Sequence, residues 1–364
     1  MTSLSLADLS KLLSPHLPLG KSRLDTLCLV VLGMISARTV NLTLIATEWP
    51  GRAKVASTYR RLQRFFQKVS LPNDWAAGIV IALIGKPPSW YLCLDRTNWK
   101  LGKTDINVLV LAVVTARYRV PLMWTVLDHA GNSNTAQRIA LVKRYLKQFD
   151  VSCVRMLLAD REFIGQEWLV FLADAKVPFA IRLKEDQIVR TQDGRLLALK
   201  WLLRRCKGVR GFTATLPGRD GHRDLELHFG ARRIKGGQEL LIVASATKAS
   251  GSHILRKYKK RWSIECLFAD CKTRGLNLED THLRCPNRLH LLFGILAVSV
   301  ALINRAAAQL LGLKHPARKK HGHYAKSWFR TGFDVFRKAL ACGNLAGIIP
   351  TRIPKLRLQR QGVV

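Results

Sequence analysis

Three apolar runs decide how this chain folds: W-Y-L-C-L-D at residues 90–95, I-N-V-L-V-L-A-V-V at 106–114 and V-P-L-M-W-T-V-L at 120–127. Each run is short and rich in Val, Leu and aromatic residues, a pattern typical of strands buried on both faces. We therefore predict three consecutive strands, of which the first ends in Asp95.

The segments that follow alternate between helix and strand. Residues 135–149 and 165–175 have helical spacing, whereas 154–159 and 177–183 are apolar runs, the first of which leads into Asp160. Three strands followed by helix, strand, helix and strand is the order of an RNase H-like fold, in which helices cover a mixed sheet. The sequence therefore predicts an α/β protein with an RNase H-like mixed-sheet core.

Residues from about 185 to 248 interrupt that alternation. Four turn signals divide this region, namely Asp193-Gly194, Pro217-Gly218, Asp220-Gly221 and Gly236-Gly237. Strand-like runs lie between them at 196–201, 212–216, 225–229 and 240–245. We interpret the region as a β-rich insertion, after which helical spacing returns over 252–274 and 288–311.

The first 85 residues have helical rather than strand patterns, with helices predicted over 3–13 and 24–35. A third helix, capped by Ser57, carries aromatic residues on one face and arginines on the other. Those arginines are Arg60, Arg61 and Arg64. They suit contact with DNA phosphates, although a plain amphipathic helix with a solvated basic face has the same pattern.

The chain is strongly basic, with 60 Lys and Arg against 24 Asp and Glu and a formal charge of +36. Such a chain repels itself unless it meets a polyanion, which makes nucleic acid the leading partner. An anionic membrane is the competing partner, but the most apolar run, 291–303, is shorter than the roughly 18 residues that a span needs. The eight cysteines include no C-x-x-C pair, so we expect reduced thiols, no zinc site and a cytoplasmic protein.

Two aspartates follow predicted strands. Asp95 and Asp160 each come at the end of an apolar run, and the ends of adjacent strands lie about 5 Å apart. Carboxylates that close repel each other unless a cation lies between them, and Mg²⁺ prefers oxygen ligands. A lone Asp at a strand end is more often a turn or cap residue, so the pair carries more information than either member.

A third acid lies on the helix predicted over 252–274. Tyr258, Arg261, Glu265 and Lys272 are offset by 0, 3, 7 and 14 residues. At about 100° per residue they fall on one stripe of a continuous helix. One acid among three phosphate-binding groups is an active-site composition, although a solvated charged stripe is the alternative.

The spacing Tyr-x2-Arg-x3-Glu-x6-Lys, which reads Y-K-K-R-W-S-I-E-C-L-F-A-D-C-K at 258–272, resembles the signature of the bacterial insertion-sequence DDE transposases of the IS-four group. The two earlier aspartates and the long insertion before Glu265 also match that group. The resemblance spans about residues 55–345. It implies an RNase H-like catalytic core that uses divalent metal ions to cut and transfer DNA.

Transferred by position, the resemblance implies that Asp95, Asp160 and Glu265 are the catalytic residues and hold two Mg²⁺ or Mn²⁺ ions. It also implies that Tyr258, Arg261 and Lys272 grip DNA phosphates. The expected partners are double-stranded DNA, as the element's terminal inverted repeats and as target, and further copies of the chain on that DNA. We expect no membrane partner and a place in the bacterial cytoplasm, at the nucleoid.

On this basis we divide the chain into an N-terminal helical DNA-binding domain at 1–85, a catalytic domain at 86–312 and a basic C-terminal region at 313–364. Some members of the group stack a flipped base on a Trp of the insertion. Trp201 is the only Trp there, and stacking or a place in the insertion's core are both open for it. The function expected is cut-and-paste transposition.

Two other functions compete with this one. Loss of any of the three carboxylates would favour an inactive, transposase-derived DNA-binding protein, and all three are present. Another RNase H-fold nuclease would share the carboxylates, but it would not explain the Tyr-Arg-Glu-Lys spacing or the insertion.

Overall fold

The computed structural model describes residues 2–234, 239–312, 314–320 and 322–354. The turn predicted at Gly236-Gly237 lies outside these residues, as do 12 residues of the basic C-terminal region, namely 313, 321 and 355–364.

One mixed sheet of ten strands organises the described residues. In chain order its strands are β1 Trp90–Leu101, β2 Thr104–Val114, β3 Arg119–Leu127, β4 Val154–Ala159, β5 Phe179–Arg182, β6 Ile188–Arg190, β7 Leu196–Ala198, β8 Val209–Leu216, β9 Leu225–Arg233 and β10 Leu240–Ser245. Across the sheet the order is β3-β2-β1-β4-β5-β10-β9-β8-β6-β7. The predicted α/β class with a mixed sheet is therefore confirmed, and the RNase H-like assignment stays a prediction.

The described residues also form twelve α-helices. They are α1 Ser3–Leu13, α2 Lys21–Ala37, α3 Leu42–Ala46, α4 Val55–Lys68, α5 Trp75–Leu83, α6 Thr135–Gln148, α7 Gln166–Asp174, α8 Leu199–Leu202, α9 Gly251–Tyr258, α10 Trp262–Cys271, α11 Pro286–Leu311 and α12 Trp328–Cys342. The sequence patterns predicted most of the longer ones but not α12.

Strand β1 continues past Asp95, contrary to the prediction that it ends there. It pairs with β2 from Tyr91 to Leu101, but it pairs with β4 only as far as Leu94 opposite Ala159. The hydrogen bonds to β2 keep the chain extended after β4 has turned away. Asp95 therefore lies where β1 loses one neighbour and keeps the other.

The insertion extends the sheet outward rather than forming a separate layer. Strand β10 pairs antiparallel with β5, and β9, β8, β6 and β7 follow. The strand predicted at 196–201 is wrong in its second half, because β7 ends at Ala198 and α8 begins at Leu199. Trp201 lies on that short helix and is 59% exposed, so its place in the insertion's core is also wrong.

Helix α11 is the central helix of the protein. It packs against α2, α5, α12 and β3, and one continuous apolar core joins the N-terminal helices to the sheet. The helix is 26 residues long and apolar enough to cross a membrane by length and composition, but 89% of that apolar stretch is buried inside the protein. Core helices pass the same test, so this is weak evidence for a span.

Helix α4 packs its apolar face inward, on Leu62, Phe65 and Phe66. It begins at Val55 after Lys54, so Ser57 lies in its first turn and not at its cap, as the sequence pattern had indicated. The opposite face is exposed and contains Arg60 and Arg64.

Candidate active site where strands β1 and β4 separate

The parallel pairing of β1 with β4 brings two aspartates together. Leu94 lies opposite Ala159, so the next residues, Asp95 and Asp160, leave the paired region at the same level. Each carboxylate accepts a hydrogen bond of 2.8 Å from the backbone N–H of the residue that follows it. The strand register thus places both carboxylates side by side where these two neighbouring strands separate.

Glu265 reaches this point from a helical segment that is broken in two. Helix α9 ends at Tyr258, a 3₁₀ turn covers Lys259–Arg261, and α10 begins at Trp262. The prediction of one continuous helix over 252–274 is therefore wrong, and so is the single stripe drawn on it. Lys272 follows α10 with a non-helical backbone (ψ −132°), which places it outside the stripe.

The start of α9 is fixed by close backbone contacts. Ser250 caps the helix by accepting a hydrogen bond from the N–H of His253. A Cβ on Gly251 would lie 2.7 Å from Cα of Gly211, and a Cβ on Gly230 would lie 2.5 Å from the carbonyl oxygen of Gly251. Only glycine permits this approach, and it presses α9 onto β8 and β9 and so sets where the segment begins.

The guanidinium of Arg261 lies among the three acids. Its Nη1 is 3.3 Å from Oδ2 of Asp95 and 4.0 Å from Oδ2 of Asp160, and its Nη2 donates a hydrogen bond to Glu265. The Arg261 side chain is only 12% exposed. Residues from β1, the end of β4 and α10 therefore converge on one positive charge.

Burial makes that positive charge necessary for Asp95. Loss of solvent raises the pKa of its carboxyl group to about 6, against the pull of the Arg96 N–H and of Arg261, which lower it. Glu162 and Asp160 raise it further by repulsion. Ionisation of Asp95 at neutral pH is therefore disfavoured by burial, and a cation beside it reduces that cost.

A divalent ion would meet the same need by other means. Among the described residues no three His, Cys, Asp or Glu side chains lie close enough together to hold a metal ion as they stand, because the three acids are spread around Arg261. Their oxygen-only set fits Mg²⁺ or Mn²⁺. A metal ion and the Arg261 guanidinium would compete for the same oxygens.

Tyr258 and Lys272 contact the site differently. The Tyr258 hydroxyl donates a 3.4 Å hydrogen bond to Oδ1 of Asp160, and burial is the main cause that raises the pKa of this phenol. Nζ of Lys272 instead donates to the carbonyl oxygen of Asn98 at 3.0 Å and pairs with Glu279 at 2.8 Å. Asn98 lies three residues beyond Asp95, about 10 Å along the strand.

Sequence reasoning missed a network that supports both aspartates. Arg96 makes two hydrogen bonds to the carboxylate of Glu162, at 2.8 and 3.0 Å, and donates to the side-chain oxygens of Asn107 and Asn132. Such a fork-to-carboxylate pair fixes the position of both partners. The sequence signal was there, as an Arg directly after Asp95 and an acid two residues after Asp160.

The nucleic-acid contacts predicted on α4 divide into two groups. Arg61 donates its Nε to Oγ1 of Thr26 at 2.8 Å and its Nη2 to the carbonyl of Ser22 at 3.0 Å, so it ties α4 to α2. Arg60 and Arg64 are exposed. The DNA prediction for this helix therefore rests on Arg60 and Arg64.

The fold and the site together define an α/β protein with three converging acids at the edge of a mixed sheet. The model of the family described as Transposase DDE domain matches residues 86–302, more than half of the chain. The chain belongs to this family of transposases, whose substrates are DNA and whose members generally use divalent metal ions. No curated protein matches the chain. The prediction of a DDE transposase is thereby confirmed, and the IS-four group stays a prediction.

Proposed function

We propose that the protein is a cut-and-paste transposase of the IS-four group with an RNase H-like core. It would bind the ends of a mobile element, cleave them and join them to target DNA. The observation that carries the proposal is the convergence of Asp95, Asp160 and Glu265 on the Arg261 guanidinium, where β1 and β4 separate.

In this proposal Asp95, Asp160 and Glu265 would hold two divalent ions, Mg²⁺ or Mn²⁺. When bound, such ions supply an activated water and charge stabilisation for phosphoryl transfer. The chain's own part is to hold the three carboxylates in place through the strand register, the Arg96–Glu162 pair and the docked start of α9. The partial burial of Asp95, whose side chain is 18% exposed, strengthens its charge interactions in the site.

Side chains around the three acids would position the DNA. Arg261 offers two parallel donors, which suit a phosphate, and Lys272 offers a compact charge. Tyr258 would donate its hydroxyl to a further phosphate oxygen. Arg60 and Arg64 of α4, in the N-terminal DNA-binding domain, would contact the backbone farther from the cut, where binding depends on charge rather than on chemistry.

The active complex in this proposal contains at least two copies of the chain, because two element ends must be brought together. We place it on the nucleoid in the bacterial cytoplasm. The mass of the complex with end DNA, measured by light scattering, tests this point, and a single copy bound to two ends would contradict it.

The deciding experiment uses DNA taken from either side of the gene, including any inverted repeats that bracket it. The protein should cut at the repeat boundary in the presence of Mg²⁺ or Mn²⁺. Glu265→Gln should reduce cleavage by about a thousandfold or more, since each 1.36 kcal/mol is tenfold and the ions contribute several kcal/mol. DNA affinity should remain within a few-fold, because the phosphate contacts are retained.

Glu167→Gln is the matched control, since Glu167 is an exposed acid on α7 and its replacement should leave cleavage unchanged. End binding without cleavage under any metal would instead identify an inactive derivative. Cutting that ignores the repeat boundary would identify another nuclease.

A further inference from the structure

The acids lie on the side of the sheet that is formed by the ends of its strands, and this row of strand ends, here called the edge, continues into the insertion. Strands β4 and β5 run parallel and end at Ala159 and Arg182 on this edge. Strand β10 is antiparallel to β5, β9 to β10 and β8 to β9. The start of β10, the end of β9 and the start of β8 therefore lie on the same edge as Asp160.

The outer part of this edge is basic and exposed. Arg204, Arg205 and Lys207 lie in the turn between α8 and β8, and Arg232 lies near the end of β9, opposite Val209. All four side chains are exposed. We call these four residues the outer basic edge.

Two hydrogen bonds hold the turn against the strand ends. Arg210 on β8 donates to the carbonyl of Leu202 at 2.9 Å, and Arg233 on β9 donates to the carbonyl of Arg204 at 3.1 Å. The basic turn is thus packed onto the sheet rather than extending freely from it. Its charges have a defined position relative to Asp160.

Acids do not neutralise the outer basic edge. The sequence from 199 to 216 contains no Asp or Glu. Glu239, the acid that begins the neighbouring stretch, pairs with Arg161 at 2.9 Å and with Arg182, which lie between it and the catalytic carboxylates. Within the described part of the chain, none of the four residues forms an ion pair with an acid.

The distance from the acids suits a DNA duplex. Four strand spacings of about 4.8 Å separate β4 from β8, or roughly 19 Å. Stacked base pairs rise about 3.4 Å each, so this distance corresponds to roughly five or six base pairs. A duplex cut at Asp160 and lying along this edge would bring its phosphates to the outer basic edge.

We propose that the outer basic edge binds the phosphate backbone of duplex DNA five or six base pairs from the scissile bond. The inference rests on the proposed function, because it places one part of the same substrate. The contacts are to phosphate and carry no sequence information, so they would anchor the DNA rather than select it. They would resist rotation of the duplex about the cleavage point.

The test compares two triple variants of the full-length protein on one long, mixed-sequence, fluorescein-labelled duplex. The first is Arg204→Ala, Arg205→Ala and Lys207→Ala. The second, the control, is Arg190→Ala, Arg219→Ala and Arg223→Ala. Arg190 pairs with Asp224 and Arg223 with Asp174, and the last two control residues lie in the loop between β8 and β9 at the opposite edge. Both variants reduce the net charge equally.

We expect the first variant to bind at least about tenfold more weakly than the wild type at low salt. The slope of log K against log salt should fall by about 2.7, or 0.9 for each phosphate that is no longer neutralised. The control should change the slope by less than about one. At limiting concentrations of a cleavable end, cleavage by the first variant should fall with its affinity, whereas cleavage by the control should remain close to that of the wild type.

Equal weakening of binding in the two variants would overturn the inference, since it would show that net charge alone matters. Unchanged binding in the first variant would also overturn it. Either result leaves the proposed function intact when the wild type still binds and cuts. A wild type that binds no DNA contradicts the proposed function itself. Thermal melting of both variants confirms that each is folded.

Discussion

Arg261 and Lys272 belong to one sequence signature, yet the structure gives them opposite surroundings. Arg261 is 12% exposed and its guanidinium contacts three carboxylates. Lys272 lies at the end of α10, about 10 Å farther along β1, where it pairs with the half-exposed Glu279 and donates to the carbonyl oxygen of Asn98. The first cation is enclosed by acids from three elements, and the second is held at the surface by one ion pair and one hydrogen bond.

The difference follows from the break between α9 and α10. A 3₁₀ turn at Lys259–Arg261 changes the rotation per residue, and the chain leaves helical geometry at Lys272. Arg261 is thereby turned into the acid cluster, and Lys272 is turned toward Asn98. Although the two residues belong to one sequence signature, Arg261 is enclosed by acids and must move to meet DNA. Lys272 needs only to exchange Glu279 for a phosphate.

Replacement of Arg261 should give the largest effect of this comparison. Arg261→Ala should reduce cleavage by about a hundredfold, because misplacement of a reacting phosphate by about 1 Å has an effect of that size. In the absence of DNA the same variant should bind Mn²⁺ more tightly than the wild type, because no guanidinium competes for the oxygens. Isothermal titration and single-turnover cleavage measure the two quantities.

Arg261→Lys is the matched variant, since it keeps the charge without the two parallel donors. It should restore the weaker Mn²⁺ binding and little of the cleavage. Weaker Mn²⁺ binding in Arg261→Ala than in the wild type would contradict the competition between the guanidinium and the ion.

Part of this site was predictable from sequence. Asp95 and Asp160 each follow an apolar run, and the family spacing located Glu265 and Arg261. The sequence could not show that β1 continues past Asp95, because this continuation depends on the pairing of β1 with β2, which is a tertiary contact. The break after Tyr258 was also hidden, because helical periodicity alone cannot show a 3₁₀ turn. Arg96 was overlooked because its role depends on Glu162, which is distant in sequence.

The Arg96–Glu162 pair tests whether the acid cluster depends on its supports. Arg96→Ala should reduce cleavage about tenfold at limiting Mg²⁺ and less at saturating Mg²⁺, because the loosened aspartates would bind the ion more weakly. It should also lower stability by about 1.5–3 kcal/mol, as expected for hydrogen bonds to a charged group.

Arg144→Ala is the control for that decrease in stability. Arg144 makes a similar two-bond pair with Asp74, at 2.8 and 2.7 Å, and it contacts β3, two strands away from β1. It should destabilise the protein comparably and leave cleavage per folded molecule unchanged. An equal decrease of activity in both variants would reduce Arg96 to a purely structural residue.

The pKa of Asp95 predicts a pH-dependent stability in EDTA. A carboxyl whose pKa is raised on folding, here from 3.8 to about 6, favours the folded state when it is protonated. That contribution is complete below about pH 4 and is lost as the pH rises through about 6. Asp95→Asn should therefore be more stable than the wild type by about 1–2 kcal/mol at pH 7–8. This is less than the full pKa shift would give at about 1.36 kcal/mol per pKa unit.

The two proteins should converge in stability near pH 4. Asp105→Asn, at an exposed position, is the control for the loss of one carboxylate. Urea unfolding at each pH provides the measurement. A less stable Asp95→Asn at pH 8 would mean that attraction to Arg261 outweighs the loss of solvent.

The smallest effect concerns the second cation of the comparison. If Lys272 contacts a phosphate, its ion pair with Glu279 must break. The free energy of that ion pair is then subtracted from the free energy of DNA binding. A partly exposed pair contributes about 0.2–1 kcal/mol, and Glu279→Gln should therefore raise DNA affinity by roughly 1.4- to 5-fold. Removal of a negative charge near DNA would also raise affinity, without any direct contact from Lys272. The two causes separate when Glu279→Gln is also made in Lys272→Met. A gain that disappears in the Met background shows competition for the lysine. An equal gain in both backgrounds shows only the long-range effect of charge, and Lys272 would then merely hold the end of α10 against β1.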